Sequence, residues 1–398
     1  MTTHAGEGRG RRFDAVRRDG ERVTPLELFF DLVFVLALTQ CTALMAAEPT
    51  WRGLAKGMLI LGVLWWAWVG YAWLTSVVDP EEGAVRIAIF GAMAALLVVS
   101  LCVPQAFEDL GITFAVSYGL VRVGQVVLFL FASRQDPTLR RSVWVGLVPS
   151  TAVGVGLLVG ASFFDGVAQG TFWAAALVLD MAGPFLFGST GWQLVPRHFA
   201  ERHGLIFIIA LGESIVAIGV GSEAGVGAGV ITAAVLGSIL AAAMWWAYFD
   251  VVALVAERRL SATAVGKEQN EMARDSYSFL HLPMVAGVVL IALGLKKTIA
   301  HVDEPLVPAT AFALVGGLAA YLLAHVAFRY RNIRTLNMQR LLLAAVLLAL
   351  VPFADEIDAL AALAVVAGLM VSLIAYEAIR FAEGRDRVRH EAGYEPPS

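Results

Sequence analysis

The apolar stretch TPLELFFDLVFVLALTQCTAL, residues 24–44, carries two acidic residues near its start. It is long enough to cross a bilayer as a helix, which takes about 20 residues. Glu27 and Asp31 are four residues apart, so a helix places both side chains on one face, one turn apart. A charge in a lipid-embedded helix is costly and is tolerated where it faces protein, water or a partner. Asp31 is therefore the first candidate for a functional residue.

The composition is that of an integral membrane protein. Of 398 residues, 59% are hydrophobic and 16% are charged, whereas a soluble protein has about 25% charged residues. The mean hydropathy is +0.73. The net charge of −4 is too small to indicate a particular partner, so we expect contact with the lipid bilayer and none with nucleic acid. Cys41 and Cys102 both lie in apolar spans, so neither a disulfide nor a metal site is predicted. No motif indicates a cofactor.

The hydropathy pattern predicts an all-α polytopic protein with about twelve transmembrane helices. The predicted spans are 26–47, 54–78, 84–107, 112–133, 142–163, 170–190, 199–221, 228–256, 273–298, 307–329, 338–354 and 359–382. If the N-terminus is cytoplasmic, 24 of the 29 Lys and Arg residues lie on the cytoplasmic side, as the positive-inside rule requires. We therefore expect both termini in the cytoplasm.

The chain also contains two pairs of similar segments in the same order. Residues 32–40 align without gaps with 205–213, and the Trp-rich cluster at 65–68 matches the aromatic cluster at 245–248. These pairs predict a parallel repeat of six plus six helices, with both halves inserted the same way up. The expected organisation is a basic N-terminus at 1–23, repeats at 24–190 and 197–383, and a C-terminal tail at 384–398.

Several polar residues fall inside the predicted spans and are candidates for binding an ion or a proton. They are Glu213, Asp31, Asp180, Arg122, Asp250 and His281. Glu213 is the strongest candidate because it lies deep in its span, beside Gly212. Arg122 requires a buried carboxylate, which could belong to Asp180 or to Glu213, and such a pair could also simply hold helices together.

Other polar residues have structural interpretations. Thr24 and Glu27 have the spacing of a capping box, in which the carboxylate reaches back to the N–H of the capping residue. Structural or capping roles are also assigned to Glu201 and Arg202. His203 and His325 could titrate near neutral pH, although a single histidine in a membrane helix more often bridges helices.

Three stretches resemble the bacterial low-temperature-requirement protein A family. They are Glu27–Val35, then 198–205 running into 211–215, and finally His281–Gly287. The resemblance covers almost the whole membrane region and implies a polytopic protein of the bacterial inner membrane. It implies no molecular activity. A fainter resemblance, through Phe30-Asp31, is to the potassium channels of endolysosomes and bacteria that carry a Phe-Ser-Asp motif, but Gly204 stands at the position aligned with Asp31.

Three classes of function remain open from the sequence. The favoured one is a transporter or channel for a small cation or other small solute, coupled to protons, with no enzymatic activity. The second is a membrane-embedded enzyme acting on lipid or an isoprenoid, in which carboxylates and His281 serve as acid and base. The third is a non-catalytic membrane scaffold in which every buried charge is structural. A homodimer is compatible with each of them.

Overall fold

The computed structural model describes residues 22–393 apart from 82, 189–190, 222–224 and 226. Across these described residues the chain forms helices and no strand longer than an isolated bridge. The predicted all-α fold is therefore confirmed. The predicted basic N-terminus lies almost entirely outside the described residues.

The α-helices of the described residues are numbered here in chain order. They are α1 (Pro25–Ala47), α2 (Trp51–Thr75), α3 (Gly83–Cys102), α4 (Gly111–Ala132), α5 (Pro137–Ser142), α6 (Val148–Ala161), α7 (Gly166–Leu186), α8 (Pro196–Gly221), α9 (Ala228–Phe249), α10 (Val252–Ser261), α11 (Lys267–Met272), α12 (His281–Ala300), α13 (Pro308–Ile333), α14 (Met338–Leu350), α15 (Ala359–Arg380) and α16 (Ala382–Gly393).

Ten helical segments in the described part of the chain are long and apolar enough to cross a membrane. This confirms a multi-pass membrane protein, while the count of twelve spans and the repeat remain predictions. Two predicted spans are not among these ten. The α7 helix carries Gln169 and Asp180, both strongly polar. The segment Met338–Phe353 is apolar but short.

Some predicted spans are interrupted by irregular helical turns. The predicted span 228–256 is two helices, because α9 ends at Phe249 and α10 begins at Val252. A π-helical segment, Val143–Leu147, separates α5 from α6, and another, Ala273–Phe279, leads into α12. Such π-turns widen a helix locally and are frequent at functional sites.

The described chain divides into two compact units. The first comprises residues 22–41, 58–202 and 264–274. In it, α3 packs against α4, α4 against α6, and α6 against α7. The exposed apolar side chains of these helices, such as Leu120 and Val178, suit contact with lipid.

The second unit comprises residues 42–57, 203–263 and 275–393. Its centre is the pair α12 and α13, whose backbones approach closely at glycines. The α14 helix packs against α13, and α15 packs against α9. The domain boundaries expected from the repeat, 24–190 and 197–383, remain a prediction.

The close approach of α12 and α13 gives a direct test of this arrangement. A Cβ atom at Gly287 would lie 2.6 Å from the carbonyl oxygen of Gly317 and 2.9 Å from the backbone nitrogen of Tyr321. Backbone atoms cannot move aside cheaply, so Gly287→Ala should lower the unfolding temperature of the purified protein in detergent. Gly368→Ala is the control, since no atom lies within 4 Å of its added Cβ and alanine favours a helix by about 1 kcal/mol over glycine. Equal unfolding temperatures for the two variants would contradict this close approach.

Candidate functional site

The first unit contains a buried cluster that begins with the cap of α1. The backbone N–H of Thr24 donates to Oε2 of Glu27 at 2.9 Å, and the N–H of Glu27 lies 3.4 Å from Oγ1 of Thr24. These reciprocal bonds have the geometry of a capping box. Nearby, Oε2 of Glu201 accepts a bond from the N–H of Val23 at 3.2 Å. One oxygen of Glu27 therefore caps the helix, and the other is available for a second role.

That second role is to share a guanidinium group with Asp31. Nη1 of Arg202 donates to Oε1 of Glu27 at 3.1 Å and to Oγ1 of Thr75 at 3.0 Å, while Nη2 donates to Oδ1 of Asp31 at 2.6 Å. The indole N–H of Trp68 donates to the same Oδ1 at 2.8 Å. Asp31 is fully buried. The arginine thus joins α8 to α1 and α2 within this unit.

His198 adds a titratable group to the cluster. Its Nε2 lies 2.8 Å from Oε1 of Glu27, and its Nδ1 lies 3.0 Å from Oγ of Ser76. A serine hydroxyl can donate or accept, whereas a carboxylate only accepts. Nε2 therefore carries a proton, and Nδ1 can either accept from Ser76 or donate to it. The same geometry suits neutral and protonated His198.

The other oxygen of Asp31, Oδ2, has no hydrogen-bond partner among the described residues. The space beside the cluster, bounded by Phe30, Tyr71 and Ile89, admits no water molecule. An unsatisfied buried acceptor costs about 1–3 kcal/mol, and more when it is charged. Asp31 is therefore the buried carboxylate with the greatest incentive to bind a proton or a small cation.

Arg122 pairs with Asp180 rather than with Glu213. Its Nη2 donates to Oδ1 of Asp180 at 2.9 Å and to Oγ1 of Thr151 at 3.2 Å, and its Nη1 donates to Oε1 of Gln125 at 2.8 Å. One guanidinium faces one carboxylate, so the charges balance. This arrangement holds α4, α6 and α7 together.

Because the Arg122–Asp180 pair is buried and balanced, it should behave as a structural unit. Arg122→Leu or Asp180→Leu alone leaves a buried charge and should cost about 3–5 kcal/mol of stability. Replacing both residues by leucine should cost less than either single change, because no unpaired charge remains. Denaturant unfolding of the purified variants measures these differences. A double variant as unstable as the two single losses added together would contradict a simple ion pair.

In the second unit, His281 has both ring nitrogens occupied. Nδ1 lies 3.0 Å from the carbonyl oxygen of Ser276, and Nε2 lies 2.8 Å from the hydroxyl of Tyr248. The carbonyl can only accept, so Nδ1 carries the proton, and the tyrosine hydroxyl donates to Nε2 of a neutral ring. His203 lies near this ring, with 5.2 Å between the centroids. The arrangement suits a helix-bridging role for His281, close to the π-turn that precedes α12.

The remaining predicted candidates lie on α8 and at the end of α9. Glu213 is buried, at 2% exposure, and Oγ of the neighbouring Ser214 has no hydrogen-bond partner among the described residues. Asp250, at the C-terminus of α9, is paired with Arg385 and Arg389 of α16. Desolvation lowers the pKa of the Arg385 guanidinium from its ordinary value, although arginine remains charged at physiological pH.

A further buried pair in the second unit was not predicted. Nε and Nη2 of Arg340 donate to the two carboxylate oxygens of Glu377 at 3.0 and 2.9 Å. Nη1 of Arg340 lies 2.9 Å from Nδ1 of His325. The side-chain amide of Asn337 also donates to Glu377, at 2.9 Å. In the described part of the chain, no group of three or more His, Cys, Asp or Glu side chains could hold a metal ion.

These helices and buried ion pairs define a multi-pass α-helical membrane protein. The chain belongs to the family described as bacterial low temperature requirement A protein (LtrA), whose model matches residues 22–375. The family expected from the three motifs is therefore confirmed. The uncharacterized protein RA0937 of Rhizobium meliloti (strain 1021) is 30% identical over 295 residues, which cover 69% of each chain. No solved structure matches the chain significantly.

Several residues of the buried cluster were not recognised as partners of Asp31. Arg202 was assigned a structural or capping role at the cytoplasmic start of its span, and Trp68 was assigned to the aromatic clusters. The available signal was the motif 198–205, which holds a histidine and an arginine four residues apart on one helix face. That spacing indicates a shared acidic partner but does not say which one.

Proposed function

We propose that this LtrA-family protein is a proton-coupled transporter and that the cluster around Asp31 holds the proton. The observation that carries the proposal is the state of Asp31. Its one ion-pair partner among the described residues, Arg202, is shared with Glu27, and its Oδ2 accepts no hydrogen bond there. A proton on Oδ2 would remove the charge at a site where that charge is poorly compensated.

The space around Asp31 favours a proton over a larger cation. It does not admit a water molecule, so a sodium or potassium ion with its usual oxygen ligands does not fit the described conformation. A proton needs no such volume. His198 can receive a second proton because Ser76 can reverse its hydrogen bond. Asp31 and His198 therefore offer two proton positions on one cluster.

Glu213 is proposed as a second proton carrier on the same transporter. It is a buried carboxylate on α8, the helix that supplies His198 and Arg202 to the cluster. Intramembrane carboxylates in pumps and transporters commonly relay protons. The Arg122–Asp180 pair is assigned to structure instead, because its charges balance.

Proton movement can be measured directly with the purified full chain in liposomes that contain a pH-sensitive dye. An imposed proton gradient should dissipate faster than in protein-free vesicles, both with and without Na⁺ or K⁺ as the counter-gradient. Asp31→Asn should abolish the added flux because an amide cannot take up the proton, and Glu213→Gln should slow or abolish it.

The matched control is Asp180→Asn, which alters a buried aspartate that also pairs with an arginine. Its amide oxygen can still accept from Arg122, so the flux should persist. Proton flux from the wild type that equals empty vesicles would overturn the proposal and favour a scaffold. Full flux from Asp31→Asn would remove Asp31 from the pathway.

A further inference from the structure

The second unit contains a cavity of about 430 Å³ at the ends of α9, α13 and α15. This volume lies within the range of sites for small organic molecules, about 300–1,000 Å³. Three arginines, Arg329, Arg340 and Arg385, line it together with two carboxylates, Asp250 and Glu377. The formal charge of the lining is therefore positive.

The two carboxylates are already occupied by arginines. Both oxygens of Glu377 accept from Arg340. Asp250 is shared by Arg385 and Arg389, which brings a further positive charge near the cavity. Neither acidic group is therefore available to compensate an additional cation.

Arg329 supplies the uncompensated charge. Its Nε donates to Oγ1 of Thr335 at 3.0 Å, and no carboxylate in the described part of the chain lies within ion-pair distance of it. A guanidinium with free donors in a cavity is suited to bind a carboxylate or phosphate group.

His325 provides an independent observation. An arginine cannot accept a hydrogen bond, so Nη1 of Arg340 is the donor and Nδ1 of His325 is the acceptor. The proton of the neutral ring is therefore on Nε2. This N–H belongs to a side chain that is 1% exposed and lines the cavity, and it has no partner among the described residues. The cavity thus contains a buried donor that requires an acceptor.

The N-terminus of α14 adds a third feature. Asn337, Met338 and Gln339 line the cavity at the start of this helix. The first N–H groups of a helix are not used within it, and their partial positive charge favours anions.

We propose that this cavity binds a small organic anion through a carboxylate or phosphate group. Arg329 would supply the compensating charge, and Nε2–H of His325 and the N-terminus of α14 would donate to its oxygens. The site goes beyond the proposed function, because anion binding requires neither proton flux nor the cluster around Asp31.

Isothermal titration of the purified full chain in detergent with succinate and with inorganic phosphate tests the site. At least one of these anions should bind saturably, and choline should not. Arg329→Met should weaken the binding by at least tenfold, which corresponds to about 1.4 kcal/mol. Arg334→Met is the matched control, because Arg334 carries the same charge and follows α13 without lining the cavity.

A second pair of variants tests the cavity without removing any existing contact. Met338 is half exposed at the cavity wall, and a glutamate there also favours the helix N-terminus. Met338→Glu should weaken anion binding by several-fold, whereas Met338→Gln should not. Equal affinities for wild type, Arg329→Met and Met338→Glu, or binding of choline in place of the anions, would overturn the proposal. Binding of phosphatidylglycerol in nanodiscs without binding of either soluble anion would also overturn it.

Discussion

The architecture of the first unit depends on one buried arginine shared by two carboxylates. Removing a charged group from water costs several kcal/mol even after the protein relaxes, and here three charged side chains, Glu27, Asp31 and Arg202, are each no more than 1% exposed. The burial is sustained because Arg202 donates to both acids and to Thr75 at the same time. The start of α8 is therefore attached to α1 and to the end of α2 by directional bonds that lipid cannot replace.

The same arginine distinguishes this cluster from the other buried ion pairs. Arg122 has Asp180 to itself, and Arg340 binds both oxygens of Glu377. In those pairs the charges balance, which suits a permanent link between helices. At Asp31 the cation is shared and one oxygen is left without a hydrogen bond in the described structure. This imbalance, more than burial alone, makes Asp31 rather than Asp180 the centre of the proposed proton site.

The fold class was predictable from the sequence because hydropathy and span length reflect a local requirement: each helix must satisfy its own backbone in lipid. The capping geometry of Thr24 and Glu27 was likewise predictable, since both residues lie within one turn. The partner of Asp31 was not, because Arg202 is 171 residues away and a single sequence contains no record of such pairings. The positive-inside rule assigned Arg202 and Arg340 to cytoplasmic ends, where a charge needs no partner, and both are buried in ion pairs instead. The interruptions at Asp250 and at the π-turns were also missed, because they arise from tertiary contacts. Trp68 and Tyr248 occupy matching positions of the predicted repeat, and each contacts a buried titratable residue of its own unit, but the repeat itself remains a prediction.

The central claim is that Asp31 takes up a proton while the protein is folded. Difference infrared spectroscopy of the membrane-reconstituted protein, recorded as the pH is lowered, detects this event through the C=O stretch of a newly formed carboxylic acid. The account predicts a band in the wild type that is lost in Asp31→Asn and retained in Asp180→Asn. A band that persists unchanged in Asp31→Asn, or no carboxylic acid band in the wild type at any pH at which it stays folded, would contradict it.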